Sequence, residues 1–487
     1  MAITSASGPD AAPRKQTLAT NYVDFTSSAT EGWAQQYLPD LMEKEAEIYG
    51  KRTIAGFLNQ VGAEEASTSD RVLWSEQGRL HLAYTATCNS SGDTSANVFS
   101  IVNDVDGNAV GVNHGIRVGD TVLISQAGAT IRGFVTDADA GTDDDVTILP
   151  YSHADCDAAG LTDDSTAGAF RILVFGSEFA KGQDGRSSAN EPKFKSHMNK
   201  HIILKDYYEV SGSDTSAIGW VEVAGEEGQN GYLWYLKAEG DTRARFTDYL
   251  EMSMMEGELS LAAAATGIPV NAGDTGVDGS GTEGLFKAIE NRGHQTTGVT
   301  GVNASTDLAE FDAILAVFDQ NGAIEENMMF VNRGTSLAMD DMLASMNSYG
   351  AGGTSYGVFN NSEDMALNLG FSGFRRGSYD FYKSDFRYLN DKATRGGIND
   401  AAGANAIRGV MIPAGTSSVY DQTVGQSMKR PFLHVRYRAS QTDDRRMKSW
   451  VTGSVGAATS ALDAMQLHFL TERCLITQGA NNFMLMK

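Results

Sequence analysis

The amino-acid sequence predicts an α+β fold made of several lobes, one of which is a small all-β domain. The chain of 487 residues is too long for one ordinary hydrophobic core, so two to four lobes are expected. Stretches with strand-like alternation and stretches with helical periodicity occupy different parts of the chain. Glycine is frequent, with 53 residues, and proline is rare, with 8, which is typical of a chain with many flexible turns.

Charge and cysteine content narrow the class of protein. The net charge is −24, and a surface this acidic repels nucleic acid and anionic membranes, although an adaptation for solubility explains it equally well. Cys88, Cys156 and Cys474 are too widely spaced for a disulfide framework or a metal site. No signal peptide and no run of about 18 apolar residues is apparent. We therefore expect a soluble protein that folds in a reducing cytosol and has no membrane partner.

The first part of the chain combines a polar arm with a β-rich region. Residues 1–30 are small and polar and predict an extended arm, and residues 31–60 predict one or two short helices. Residues 72–175 contain alternating or β-branched runs such as RLHLAYTATC and DTVLISQAG, separated by Gly, Asp and Asn turns. This pattern predicts a small all-β domain of five or six strands, either a barrel or a sandwich.

Residues 176–206 begin polar and rich in Gly and Ser and then become basic, which predicts a long loop or an extended hairpin. One interpretation is an exposed lysine-rich hairpin that is protected from edge-to-edge aggregation. The favoured interpretation is a loop that docks on an acidic patch of an identical neighbour. The charged residues concerned are Lys193, Lys195, His197, Lys200 and His201.

The strongest helical pattern covers residues 228–258. Its apolar face is predicted to carry Phe246, Tyr249, Leu250, Ser253 and Met254. Asp241 and Arg245 are spaced as an i,i+4 ion pair, and Gly257 is placed to end the helix. About 28 helical residues would span about 42 Å.

Alternating helices and strands are predicted after this helix. DLAEFDAILAVFDQNG (307–322) has a D-x-x-E start at Asp307 and a stop at Gly322, and it precedes the buried strand NMMFVN and the helix TSLAMDDMLASM. Residues 374–392 predict an exposed strand and 406–415 a short buried one. Residues 431–450 and 464–487 predict paired strands.

No sequence motif supports catalysis or cofactor binding, so we predict a protein that is not an enzyme. Ser355 lies in a G-x-S-x-G match, but that motif needs a strand before it and a helix after it, and this one lies in a Gly-rich stretch. His197 and His201 have i,i+4 spacing without a nearby carboxylate. The acidic runs 143–145 and 163–164 lack the spaced ligands of a calcium loop. No catalytic, metal or cofactor-binding residue is therefore assigned.

The order of these parts resembles the tailed-bacteriophage major capsid protein, whose fold is shared with the herpesvirus capsid floor and with encapsulins. FGSEFAKGQDGRSSANEPKFKSHMNKHIILKDYYEVSG, followed by the 228–258 helix, resembles the extended loop and spine helix of that family. FVNRGTSLAMDDM resembles its axial-domain strand, turn and helix. ALDAMQLHFLTERCLITQGANNFMLMK resembles its closing peripheral-domain strands.

The resemblance implies a tailed-phage major capsid fold with an inserted small all-β domain. The implied parts are an N-terminal arm with short helices (1–71), the inserted domain (72–175), the extended loop (176–206), a peripheral domain with the spine helix (207–283), an axial domain with strands near 374–392 that return to the peripheral domain (284–430), and closing peripheral strands (431–487). No position matches the self-crosslinking Lys–Asn pair of some relatives, and no cleavable scaffolding segment is evident.

The function that this resemblance implies is self-assembly into hexamers and pentamers of an icosahedral phage head. The shell would assemble in the host bacterial cytoplasm and would enclose double-stranded DNA without binding it sequence-specifically, with scaffold, portal and decoration proteins as further partners. Alternatives are an encapsulin-like compartment, a phage tail or fibre protein, and a hydrolase that uses Ser355. The predicted inter-subunit contacts are Lys193, Lys195, His197, Lys200, His201, Asp241 and Arg245.

Overall fold

A computed structural model gives the structure of the chain. It describes residues 57–58, 63–88, 97–138, 144–162, 164, 166, 169–186, 190, 194–213, 223–224, 230–231, 233–259, 281–322, 324–347, 373–421, 426–455 and 458–487. The chain divides into two compact units. One comprises Met1–Trp74 together with Met198–Lys487, and the other is Ser75–His197.

Strands predominate over helices in the described residues. The first strands are β1 (Glu64–Ser67), β2 (Arg71–Gln77), β3 (Ala83–Cys88), β4 (Val98–Asp104), β5 (Asp120–Gln126), β6 (Ala129–Ala138), β7 (Asp145–Pro150), β8 (Phe170–Ser177), β9 (Phe194–Lys200), β10 (Ile202–Ser211), β11 (Val223–Ala224) and β12 (Asn230–Gly231). The later strands are β13 (His294–Thr296), β14 (Glu326–Val331), β15 (Gly373–Arg376), β16 (Tyr379–Asp385), β17 (Gly409–Pro413), β18 (Thr416–Asp421), β19 (Gln426–Pro431), β20 (Leu433–Arg438), β21 (Lys448–Gly453), β22 (Ala464–Thr477) and β23 (Met484–Met486). The helices are α1 (Leu233–Glu256), α2 (Leu285–Arg292), α3 (Ala304–Asn321), α4 (Arg333–Asn347) and α5 (Arg395–Ala402).

The unit Ser75–His197 contains a closed barrel with the strand order β3-β4-β7-β6-β5-β8. Because side chains alternate across a strand, Val122 and Ile124 of β5 point inward and are fully buried. Phe99 and Phe170 pack edge to face in the interior, with ring centroids 5.2 Å apart. Five or six strands were predicted between 72 and 175. The barrel has six, the last of which ends at Ser177, and β2 in the same stretch pairs with β9 outside the barrel. That this domain is an insertion into a capsid fold stays a prediction.

The chain that follows β8 remains against the barrel. The Glu178 backbone N–H donates to the Gly119 carbonyl at 2.9 Å, and Arg186 forms an ion pair with the buried Asp120. Gly119 has φ +90°, and a Cβ there would lie 2.8 Å from the Phe179 ring, so both its conformation and its contact require glycine. The predicted boundary between 175 and 176 is therefore not a boundary between compact units.

A five-stranded sheet lies in the other unit, with the order β1-β20-β22-β10 and with β21 also paired to β22. Strand β22 has 14 residues and pairs along the whole of β10. Helix α1 packs on one face of this sheet, where the Phe246 ring stacks on Phe469 with centroids 5.9 Å apart. Prediction placed the helix at 228–258, and the structure has it at Leu233–Glu256.

A six-stranded sheet, β13-β23-β17-β14-β16-β15, forms the other layer of this unit. Successive β14 residues point to opposite faces: Met329 packs among residues of α3 and α4, and Phe330 packs among residues of α1 and α2. Strand β17 is buried along its whole length, as expected for the predicted short buried strand. Among the described residues, no helix is both long and apolar enough to cross a membrane.

Residues 374–392 were expected to return to the peripheral domain, and the C-terminal residues to form its closing strands; both assignments stay predictions. Strands β15 and β16 extend the six-stranded sheet, where Phe374 and Phe381 bury against α3. The last strand, β23, pairs with β13 and β17 of the same sheet. In both cases the apolar side chains complete the core beneath α3 and α4.

Helix α3 begins earlier than its sequence pattern indicates. Its N-cap is Asn303, whose side chain accepts a hydrogen bond of 2.9 Å from the Thr306 backbone N–H. The predicted start residue, Asp307, lies within the helix and accepts from the Gly301 N–H at 2.9 Å. The predicted stop is confirmed, because Gly322 adopts the left-handed conformation with φ +65°.

Candidate functional site

Strands β2 and β9 form a two-stranded sheet, which we call the arm. The chain leaves one unit after Trp74 in β2 and re-enters it at Met198 in β9. Apolar side chains of the arm face solvent, because Leu73 is 64% exposed and Phe194 is 57% exposed. A two-stranded sheet buries little apolar surface and is at best marginally stable in isolation. The arm therefore has surface that another element could cover.

Asn199 holds the base of the arm. Its side chain is buried, and its Nδ2 donates to the Leu475 carbonyl at 2.6 Å and to the Glu283 carbonyl at 2.9 Å. Its Oδ1 accepts from the Glu283 N–H at 2.8 Å and from the Thr282 hydroxyl at 3.1 Å. It also accepts from the next backbone N–H, that of Lys200, at 2.8 Å. One amide therefore joins β9 to β22 and to the turn before α2.

His201 makes a second connection at the same place. Its backbone N–H donates to the Asp70 carbonyl at 3.2 Å, and its ring Nδ1 lies 3.1 Å from the same oxygen. Its Nε2 lies 3.8 Å from the Sγ of Cys474. Burial lowers the pKa of this imidazole, against an opposing effect of Glu472 and alongside a further lowering by Arg436. The neutral ring therefore suits this position.

Trp74 fixes the other strand of the arm at its base. Val72 and Trp74 pack with Cys474 and Ile476 of β22 in one buried cluster. The Arg292 guanidinium lies over the Trp74 ring, 5.5 Å from its centroid, in a cation–π contact. Both strands of the arm are thus attached to β22 by buried side chains.

An interlaced network of charges lies along β1, β20 and β22. Glu64 accepts from Arg473 at 3.1 Å and also pairs with Arg446. Glu472 pairs with Arg445 at 2.5 Å and with Arg438 at 3.4 Å. Positive and negative groups alternate here, so this surface is not a basic patch for binding a polyanion.

The predicted contact residues are divided between exposed and buried positions. Lys193 lies outside the described residues, and Lys195 is exposed on the arm. His197 is half-buried, with its Nε2 3.7 Å from a Glu76 carboxylate oxygen. Lys200 and His201 are each only 7% exposed. Both side chains are therefore largely covered by the chain itself, and their role as contacts to a neighbouring subunit stays a prediction.

The predicted pair of Asp241 and Arg245 within the helix is also not formed. Arg245 instead donates to Asp206 of β10 at 3.1 Å, so its ion pair joins the helix to the sheet. Asp241 is exposed on α1. Spacing along a helix predicts which side chains of that helix can meet. Here Asp206, on a strand packed against the helix, pairs with Arg245 in place of Asp241.

The remaining motifs lie mostly outside the described residues, including Ser355 with its G-x-S-x-G match, as well as Asp143 and Asp163. The described neighbour Asp145 accepts a short hydrogen bond from Ser100 within the barrel. In the described ranges no group of three or more His, Cys, Asp and Glu residues could hold a metal ion.

Sequence reasoning missed Asn199 and Trp74 as the residues that attach the arm. The signal for Asn199 is weak, because it is one polar residue in a stretch rich in polar residues, KFKSHMNKH. Its role depends on partners 84 and 276 residues away along the chain. Trp74 lies in the alternating run RVLWSEQ. This run predicts a strand, but it does not predict that the Trp74 side chain packs against β22.

No protein-family model and no curated protein matches the sequence. Among solved structures, the chain is similar to one titled "Capsid structure of the Cyanophage P-SCSP1u", with 8% identity, 96% of each chain covered and a TM-score of 0.40. It is also similar to structures titled "Microbacterium phage Oxtober96" and "Capsid of empty GTA particle computed with C5 symmetry", each with 10% identity, 93% of this chain and 95% of the other covered, and a TM-score of 0.34.

Proposed function

We propose that this chain is a major capsid protein, a structural subunit that assembles into the icosahedral head of a tailed phage around double-stranded DNA. The arm carries the proposal. It is firmly attached at its base through Asn199, His201 and Trp74, yet Leu73 and Phe194 are exposed on its strands. An element with uncovered apolar surface is suited to contacting a second copy of the same chain.

The arm also carries charge that suits such a contact. Lys195 is exposed beside Phe194 in a chain whose net charge is −24, so an acidic surface of a neighbouring copy would attract it. Each contact of this kind is modest, and a closed shell gains stability because every subunit makes several of them at once. Lys193 and His197 belong to the same proposed contact.

The test is a substitution that removes the exposed aromatic ring of the arm. We expect Phe194→Asp to abolish closed particles in negative-stain electron microscopy and to leave the thermal unfolding temperature close to that of the wild type. Tyr382→Asp is the matched control, because Tyr382 is a similarly exposed aromatic on β16, away from the arm. If Phe194→Asp assembles as well as the wild type does, the arm is not the assembly contact.

The nature of the contents distinguishes a phage head from a protein compartment. Particles from cells that also make the other phage proteins should hold nuclease-protected double-stranded DNA. Particles that instead retain one cargo protein and no DNA would indicate an encapsulin-like shell. Open tubes or fibres would contradict both of these functions.

A further inference from the structure

Strand β8 of the barrel carries a line of outward-facing side chains with a positive charge at one end and a negative charge at the other. Ile172 is buried, so alternation along the strand places Arg171 and Leu173 on the outside. Leu173 is 38% exposed and Phe175 is 56% exposed. Glu178, directly after the strand, is exposed as well. We call Arg171, Leu173, Phe175 and Glu178 the β8 row.

A β-bulge keeps this row on one side of the strand. The register between β5 and β8 shifts after Val174, because Val174 and Gly176 pair with consecutive residues of β5. Phe175 is therefore the extra residue of a bulge, a feature that changes the direction in which a side chain points. The alternation shifts by one position after it, which turns Glu178 outward. The two apolar residues of the row thus lie between its two charges.

Apolar side chains of the adjacent strands widen the middle of the β8 row. Leu173 pairs with Ala83 of β3 on one side and with Leu123 of β5 on the other. Residues that pair directly across strands share a face of the sheet, so Ala83 and Leu123 border Leu173 on the outside of the barrel. Uncovered apolar surface of this kind is typical of a contact with another protein.

We propose that the β8 rows of two copies of this chain pack against each other, antiparallel, about a twofold axis near Val174. This inference rests on the proposed function, because it concerns how copies meet in a shell. Arg171 lies three residues before Val174, and Glu178 lies four residues after it, one of which is the bulge residue. Both charges are therefore about 10 Å from the axis, at about 3.3 Å per residue. Arg171 of each copy then faces Glu178 of the other.

The order of charges along the row selects a second copy in this orientation. Each chain has a net charge of −24, so two copies repel each other unless opposite charges meet locally. Antiparallel packing brings Arg171 and Glu178 together twice, whereas parallel packing would oppose like charges at both ends. The row is thus complementary to itself, as a contact about a twofold axis requires. Leu173 of one copy lies over Phe175 of the other, and their burial stabilises the contact.

Charge reversal tests the contact on the full-length chain, with sedimentation velocity measured over a range of protein concentrations. We expect Arg171→Glu and Glu178→Arg each to raise the concentration at which assembled species appear by about tenfold or more, because each variant opposes like charges twice. The chain with both substitutions should assemble at the wild-type concentration, because its charges are exchanged and not removed.

Two kinds of control separate the contact from other effects of these substitutions. Lys392→Glu and Asp157→Arg change the net charge by the same amounts at exposed positions outside the row, and both should assemble as the wild type does. Tyr151→Phe removes the hydrogen bond of 2.6 Å that the Tyr151 hydroxyl donates to Glu178 but keeps the carboxylate. It should also assemble as the wild type does.

A disulfide measures the orientation of the two rows. Cys88, Cys156 and Cys474 are all buried, so a cysteine introduced in the row supplies the accessible thiol. Chains with Leu173→Cys and chains with Phe175→Cys, mixed before assembly and treated with oxidised glutathione, should form a crosslinked dimer on a non-reducing gel. Either chain alone should form less of it, because the antiparallel arrangement places position 173 over position 175.

Each outcome bears on a different claim. If the wild type assembles and both charge-reversed variants assemble at the same concentration, the contact does not exist while the proposed function stands. The same conclusion follows if the doubly substituted chain fails to assemble although it unfolds at the wild-type temperature, if the net-charge controls fail equally, or if the mixed cysteine chains do not crosslink. A wild type that stays monomeric at every concentration contradicts the proposed function and this contact together.

Discussion

The Nδ2 of Asn199 donates a hydrogen bond of 2.6 Å to the carbonyl of Leu475, which follows 276 residues later in the chain. This bond attaches strand β9 of the arm to the central strand of the five-stranded sheet. The amide is buried, and four other hydrogen bonds complete its polar capacity. Asn199 thereby fixes the base of an element whose tip leads into the barrel unit.

Replacing this amide should therefore be costly. Asn199→Ala removes the hydrogen-bond partner of the buried Leu475 carbonyl and of the partly buried Glu283 carbonyl and N–H. We expect a loss of about 1–3 kcal/mol in the free energy of unfolding. Urea denaturation followed by circular dichroism measures it. Asn190→Ala is the control at an exposed position and should change the free energy of unfolding by less than about 0.5 kcal/mol. Equal effects of the two changes would contradict the role given to Asn199.

Burial of His201 should make the folded chain less stable at low pH. Its pKa is lower in the folded chain than the ordinary value of about 6.5, so the folded state binds fewer protons than the unfolded state. The contribution is therefore complete above pH of about 6.5 and is lost as pH falls through the lowered pKa. The groups that face the ring are the Asp70 carbonyl, Cys474, Glu472 and Arg436.

A variant without the His201 imidazole shows how much of the pH dependence of stability comes from this residue. His201→Gln should lose less stability than the wild type when the pH is lowered from 7.5 to 5.5, as measured by the free energy of unfolding at each pH. His153→Gln, at an exposed histidine in the barrel unit, should show the wild-type dependence on pH. The same pH dependence in all three chains would refute the assignment to His201.

Substitutions on the predicted apolar face of helix α1 should affect stability to different extents. Phe246 is buried and stacks on Phe469, so Phe246→Ala should cost about 3–5 kcal/mol in the free energy of unfolding. Tyr249 was predicted on the same apolar face but is 49% exposed. Tyr249→Ala should therefore change stability by less than about 1 kcal/mol, and denaturant unfolding of both variants checks the contrast.

Ion pairing of Arg245 can be assigned by double-mutant cycles. Because Arg245 contacts Asp206 at 3.1 Å, alanine substitutions at these two positions should show a coupling energy of about 0.2–1 kcal/mol. The cycle of Arg245 with Asp241 should give a coupling near zero. Coupling confined to the Asp241 cycle would instead support the pair that helical spacing predicts.

Local pattern gave much of the secondary structure in advance. The alternating runs in 72–175 predict strands, and the run AMQLHFLTERCLIT reads as one long strand because apolar residues fill it almost continuously. Phe246, Leu250 and Met254 predict one buried face of α1 because their spacing follows the helical repeat, and all three are buried. These features depend only on neighbours within a few residues.

Features that depend on distant partners were not predicted. The sequence around Lys200 and His201 is typical of a solvated basic loop, but both residues are buried where the chain passes from β9 to β10. Strand pairing likewise makes the arm from β2 and β9, which are separated in sequence by the whole barrel. The partner of Arg245 was missed because Asp206 comes close only when α1 packs on β10. Sequence spacing carries no information on such contacts.

Negative-stain electron microscopy of the purified full-length chain, from low to high protein concentration, tests the central claim most directly. The account predicts closed, hollow particles of uniform diameter that contain hexamers and pentamers of this chain. A chain that remains a compact monomer at every concentration, with the arm covered by its own body, would contradict it.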